Sequence, residues 1–222
     1  MDPQRLQYVL LSLPVLLLAF SVHEFMHAYV ALKQGDDTAY MLGRVTLDPR
    51  AHIDPIGSIL FPLIGAISGA PLIGWAKPTP TTPRKYRKYV RGDILVSLAG
   101  IAGNFLLILL FALLHLAASF ALRASASEVL ATADKLFVIG VQLNFLLIIF
   151  NLIPVPPLDG SRVLYHLLPA NLGTAYRQLG SFGFIILYAL IFTGALNKLF
   201  AVTWPIGALF LLPGDAVRFG AM

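Results

Sequence analysis

The chain has 222 residues, of which 58% are hydrophobic and only 12% charged, with mean hydropathy +0.79. A soluble domain carries about twice that share of charge, so the composition excludes a water-soluble globular enzyme and leaves a polytopic membrane protein. Cysteine is absent, which excludes disulfides, thiolate ligands and cysteine nucleophiles. The net charge of +5 does not point to a nucleic-acid partner, because Lys77, Arg84, Lys85, Arg87, Lys88 and Arg91 cluster in one loop beside apolar runs, with no aromatic platform among them. Such clusters mark the cytoplasmic side of a membrane.

Residues 6–32 read as one long apolar helix, ended by Lys33-Gln34-Gly35 with the glycine as C-cap. This run lacks the basic flank and small-residue cleavage site of a signal peptide, so it is read as retained. A polar stretch follows over 36–54, in which Val45-Thr46-Leu47 could form a short strand. Residues 55–73 are apolar but broken by Pro55, Gly57, Pro62, Gly65, Gly69 and Pro71, and the basic loop that follows carries Pro78, Pro80 and Pro83. Residues 93–122 and about 136–153 are firm spans, and 154–160 are a proline-rich break. Residues 179–196 form another span, while 200–212 are interrupted by Pro205. The expected fold is an all-α polytopic membrane protein of about five to six transmembrane helices, with a re-entrant or hairpin segment and short strands near 43–73. It is read as one integral membrane domain over 1–222, with a catalytic core at about 6–168 and C-terminal helices at about 178–213.

The first helix contains His23-Glu24-Phe25-Met26-His27. Histidines at i and i+4 share a helix face and can bind one metal ion, and the glutamate beside the first can polarise a metal-bound water. One of only two glutamates in the chain thus sits in an apolar helix between two histidines. Chance gives that placement about once in a thousand such chains. Ionisable groups at membrane depth are costly and functional by default, so a merely packed histidine pair is the lesser reading.

A catalytic zinc takes three protein ligands plus water. Asp159 closes the run Asn151-Leu-Ile-Pro-Val-Pro-Pro-Leu-Asp-Gly160, where Pro154, Pro156 and Pro157 stop the helix. Irregular backbone at membrane depth is tolerated only where it lines protein or water, which favours Asp159 over His52 and Asp54 in a loop. His115 is read as an interhelical hydrogen-bonding residue and His166 as interfacial. Asn144 and Asn151 lie seven apart on one helix face, the first read as packing glue and the second as close to the site.

HEFMH in the first span, paired with NLIPVPPLDG in a later one, resembles the site-2 protease family of intramembrane metalloproteases, most closely its short prokaryotic type without appended soluble domains. The stretches 43–57 (GRVTLDPRAHIDPIG) and 74–80 (GWAKPTP) share the likeness, which covers about residues 15–168. The resemblance implies one zinc ion per chain held by His23, His27 and Asp159, with Glu24 as general base. It also implies that Asn104, in Ala99-Gly-Ile-Ala-Gly-Asn104, helps hold substrate or stabilise the oxyanion, although Ile101 stands where the family usually has proline. An amide N–H is suited to that task in its own right. The alternative for Asn104 is an interhelical hydrogen bond.

For the three ligands to meet, the first helix and the 136–153 span must run in the same direction. With the basic loop cytoplasmic, both run inward, the N-terminus is outside, and 55–73 is re-entrant, a tight hairpin or interfacial. The function expected is hydrolysis of peptide bonds within or near transmembrane segments of membrane-protein substrates, in a prokaryotic cell (inner) membrane, with the site towards the cytoplasm. The substrate helix must unwind first, and 55–73 could present an edge that binds it as a strand. The rivals are an inactive zinc-binding scaffold and a metal transporter.

Overall fold

The computed structural model describes residues 3–68 and 74–219, and among these every regular element is a helix. Four helical stretches are long and apolar enough to cross a membrane: Arg5–Gln34, Tyr89–Ala124, Glu128–Leu152 and Ala170–Phe192. A fifth arises if Ala195–Ala208 and Leu212–Phe219, bent by 65°, are one broken span. The number thus falls at or just below the lower end of the expected five to six. We label the helices α1 (Pro3–Gln34), α2 (Thr38–Met41), α3 (Phe61–Ser68), α4 (Tyr89–Ala124), α5 (Glu128–Leu152), α6 (Asp159–Leu167), α7 (Ala170–Gln178), α8 (Gly183–Phe192), α9 (Ala195–Ala208) and α10 (Leu212–Phe219).

Local chemistry sets the helix ends. Gly35 adopts φ 105°, and the bonds Gly35 N–H to Leu32 O and Asp36 N–H to Ala31 O close the end of α1. A left-handed residue with a six-to-one bond is what a C-terminal glycine permits. Ser127 caps α5 by accepting from the Leu130 amide, with Glu128 in the first turn facing the positive end of the helix. Pro154 follows the end of α5.

Three long helices form the core. Asn104 reaches Ala19 and His23, while Val96 reaches His27, so α4 runs antiparallel to α1. Asn104 meets Asn144 and His115 meets Asp134, so α5 runs antiparallel to α4. Helices α1 and α5 therefore run in the same direction, as the metal constraint requires, and Lys135 at the start of α5 bonds Gln7 at the start of α1. Between the polar ends lies an apolar layer that includes Val15, Phe20, Ile108, Phe111, Val141 and Phe145. In lipid such layers are held by dispersion and close approach. Gly140 provides it here, since a Cβ on that residue would overlap the Phe111 ring.

The segment after α1 differs from expectation in one respect. No strand forms near 43–73 among the described residues, and Val45-Thr46 lies in a bend. Pro55–Leu60 is instead a π-helix continued by α3, capped by Asp54, which accepts from the Ile56 and Gly57 amides. Its backbone bonds are satisfied internally, so this helix offers no open edge to a strand. The remainder of that predicted segment, 69–73, lies outside the described residues. The two described ends of the excursion meet. Trp75 N–H bonds Gly57 O, Ser58 Oγ donates to Trp75 O, and the Gly65 carbonyl meets Arg5 at the start of α1. Trp75 thus lies beside Gly57 and Ser58, while Gly65 reaches the end of α1 opposite Gln34.

Residues 74–82 then form a strap with neither helix nor strand. It is tied to α1 and its neighbours by Lys77 N–H to His52 O, Arg44 Nη2 to Lys77 O (2.6 Å), and the Thr82 amide to the Asp36 carboxylate. Burial pushes the Arg44 guanidinium below its ordinary pKa, and the Glu24 carboxylate partly offsets that.

Candidate metal centre

His23 and His27 sit one turn apart in the C-terminal half of α1, both 8% exposed. His27 Nδ1 lies 2.7 Å from the Val96 carbonyl, which can only accept, so Nδ1 carries the proton and Nε2 a lone pair. The His23 tautomer follows from a longer relay. Asn144 Nδ2 donates to Gly140 O, Asn104 Nδ2 donates to Asn144 Oδ1, and Asn104 Oδ1 is left to accept from His23 Nδ1 at 2.7 Å. A backbone carbonyl at one end directs the whole chain, and His23 also presents Nε2.

The third group is Asp159, the first residue of α6. Its Oδ2 lies 3.2 Å from His23 Nε2 and 3.3 Å from His27 Nε2, and the two nitrogens are 2.9 Å apart. These three residues are the one group of metal-ligating side chains found among the described residues. Tetrahedral zinc with nitrogen and oxygen ligands at about 2.0–2.2 Å spaces its ligand atoms about 3.3 Å apart. The observed edges fit that ion. Asp159 Oδ2 is buried without a hydrogen-bond donor, and three atoms bearing lone pairs face one another, an arrangement that a cation among them relieves.

Glu24 lies between the ligands in sequence and only partly buried. Its Oε2 accepts from the Thr79 amide at 2.6 Å, and the Thr79 hydroxyl donates to the Glu24 carbonyl at 3.0 Å. The strap thus holds the carboxylate in one orientation.

Asn104 is fully buried behind His23, with its oxygen taken by the imidazole and its amide N–H groups by Asn144 and Ala19. That placement differs from an oxyanion role, because no donor of Asn104 is left to face a substrate. The other candidates lie apart from the centre. His52 is 1% exposed with Nε2 on the Thr46 carbonyl, Asp54 is a helix cap, and His115 pairs with Asp134 on α5. The His166 side chain is 3% exposed and bonded to Asp93. Asn151 donates to Leu147 O in its own helix.

Two contributors were not singled out from the sequence. Thr79 orients Glu24, and Gly100 makes room for the histidines: a Cβ there would stand 2.5 Å from His27 Nε2 and 2.6 Å from His23 Nε2. The glycine is visible in the sequence at four residues before Asn104, but its partner across the interface is not.

The model of peptidase family M50 matches residues 11–193. YwhC of Bacillus subtilis, named as a zinc metalloprotease, is 40% identical over 195 residues, which are 86% of this chain and 82% of YwhC. Two proteins named as zinc metalloprotease Rip2 are also similar. That of Mycobacterium tuberculosis is 34% identical over 92% of this chain and 74% of its own, and that of Mycolicibacterium smegmatis 33% over 83% and 67%. No solved structure matches. With its long apolar helices and its His-His-Asp cluster, the chain belongs to peptidase family M50, the site-2 protease family.

Proposed function

We propose that the protein is a zinc-dependent intramembrane endopeptidase that cuts transmembrane segments of membrane-protein substrates. The observation that carries this reading is the convergence of His23, His27 and Asp159 within 3.3 Å of one another inside a bundle of membrane-spanning length, with Glu24 beside them. Relatives named as zinc metalloproteases support the choice of metal. One ion per chain is proposed, because one such group is found among the described residues.

Bound there, zinc supplies a Lewis acid that polarises a scissile carbonyl and acidifies a water molecule. His23 and His27 hold it through Nε2, with Asn104 and Val96 fixing their rings. Glu24 takes the water's proton and returns it to the leaving amine. Thr79 keeps the Glu24 carboxylate turned for that exchange. Asn104 is a positioning residue in this scheme, acting through His23.

The basic loop lies at the same end of the bundle as the centre, since the Arg87 amide bonds Gln34 O at the end of α1. By the positive-inside rule we place that end in the cytoplasm and the chain in a prokaryotic cell membrane. The absence of cysteine permits a direct check. Gln4→Cys will react with an impermeant thiol reagent from outside the cell, whereas Thr38→Cys and Tyr86→Cys will react only after the cytoplasmic face is opened. External labelling of Thr38→Cys would overturn the orientation.

The convergence of ligands on one site favours a protease over a transporter. Towards the start of α1, the layer of Val15, Phe20, Ile108 and Phe111 separates the centre from the buried pair His115 and Asp134. The function is tested by reconstituting the purified protein with single-span membrane proteins. Cleavage will disappear on stripping the metal with a chelator and return on adding zinc. Cleavage unaffected by complete metal removal would sink the reading.

A further inference from the structure

Helix α4 supplies no metal ligand, yet residues of one of its faces touch both histidines of the ligand set. Asn104 holds His23, Gly100 admits both rings, and Val96 holds His27. One turn further towards its N-terminus stands Asp93, 5% exposed. Its Oδ2 lies 2.8 Å from His166 Nε2 and its Oδ1 3.0 Å from Arg162 Nη2. Both partners belong to α6, the helix that Asp159 begins. Asp159, Arg162 and His166 are spaced i, i+3 and i+7, so all three lie on one side of α6.

Little else fixes α6 by polar contact. Its N-cap is Leu158, which offers no side-chain cap. Arg162 makes one further contact, a 3.5 Å bond to Thr81 in the strap. The His166 ring is wedged edge-on between Tyr89 and Tyr165, and Arg177 lies over Tyr165 while bonding the Tyr89 hydroxyl. A buried carboxylate that takes a hydrogen bond from His166 and pairs with the charge of Arg162, both on one short helix, is a dock for that helix. Loss of the carboxylate would leave the buried His166 imidazole without its acceptor and the half-buried Arg162 without its counter-ion.

We propose that Asp93 is the positioning residue of the third metal ligand. By holding Arg162 and His166 it docks α6 on α4 and sets the height and rotation at which Asp159 Oδ2 meets the two histidines. The proposal rests on the reading of His23, His27 and Asp159 as the zinc ligands. In the family of charge-to-ligand arrangements this is an indirect one, carried by a helix rather than by a bond to the ligand itself. Partners outside the ligand set that orient it are worth about 10–100-fold in metal affinity.

The experiment is a zinc affinity measurement by chelator competition on the purified full chain in detergent, with the absorption of the cobalt-substituted protein as a second readout and helicity and thermal unfolding as folding checks. Asp93→Ala is expected to weaken zinc about 10–100-fold and to alter the cobalt spectrum, with helicity retained. Asp93→Asn, which keeps an acceptor oxygen, is expected to recover part of the loss. In an Asp159→Ala background, Asp93→Ala is expected to have no further effect, because the ligand through which it acts is gone. If Asp93→Ala does not yield folded protein, His166→Phe serves instead. It keeps a ring between the tyrosines and removes only the donor to Asp93, and a severalfold loss is expected. Wild-type zinc affinity in the Asp93 or His166 variant, alongside a weakened Asp159→Ala, overturns the proposal. So does an undiminished effect of Asp93→Ala in the Asp159→Ala background. An Asp159→Ala protein that binds zinc like wild type instead removes the ligand reading itself, and this proposal with it.

Discussion

Glu24→Gln will leave zinc bound and lower peptide-bond hydrolysis by about 10²–10⁴-fold, the range supplied by a positioned general base. The argument is one of role. Glu24 is outside the group formed by His23, His27 and Asp159 and is instead held by Thr79 through its Oε2 and its backbone carbonyl. Glutamine has the same shape and can keep its amide oxygen towards the Thr79 N–H, so the strap is not disturbed. What it lacks is basicity. Zinc content by elemental analysis and turnover on a reconstituted single-span substrate are the two measurements. Near-normal turnover would remove the base assignment, and loss of zinc would move Glu24 into the ligand set.

Gly100→Ala will cost more than its single methyl group suggests. The added carbon would come 2.5 Å from His23 Cε1 and His27 Nε2, inside any tolerated contact, and the atoms it meets are the ones that face the metal. Displacement of a reacting group by about 1 Å costs on the order of a hundredfold in rate, and zinc affinity will fall with it. Gly103→Ala is the control on the same helix. Its Cβ would meet the Met26 side chain at 2.8 Å, and an unbranched thioether can move aside, although Val22 also stands near. Asn104→Ala, measured alongside, separates two roles. Weaker zinc binding marks it as the partner that orients His23, whereas unchanged binding with slower turnover would restore an oxyanion role. Normal zinc binding and turnover in Gly100→Ala would show that the bundle yields more easily than its packing implies.

Much of this was readable from the chain. The composition required a membrane, the HEFMH spacing placed two histidines on one face, and the proline-rich approach to Asp159 distinguished it from His52. The shared direction of α1 and α5 followed from ligand geometry. What could not be read was anything joining residues far apart without a periodic signature. Thr79 and Glu24 are 55 positions apart, and Asp93 and His166 are 73. Local preference also misled where tertiary demands won. Val45-Thr46-Leu47 has strand-forming character but, among the described residues, no neighbouring strand with which to pair, and the segment bends instead. His166 read as interfacial, and its bond to Asp93 left no local mark because the acceptor stands on another helix.

The pairing of α4 with α5 carries a further consequence for how the chain finds a single arrangement. Two apolar helices in lipid can slide past one another by a turn, about 5.4 Å, with little change in packing, since one leucine face resembles the next. Asn104 with Asn144, and His115 with Asp134, break that degeneracy at two heights. Arg218 of α10 also binds Asp134, which ties a third helix to the same level. A slip of one turn would leave each of these groups facing hydrocarbon, which disfavours every register but one. The displacement would exceed the 3.3 Å edge of the ligand cluster, and α5 leads through the proline-rich break into Asp159. Polar pairs that supply no metal ligand thus determine whether Asp159 arrives at its level at all.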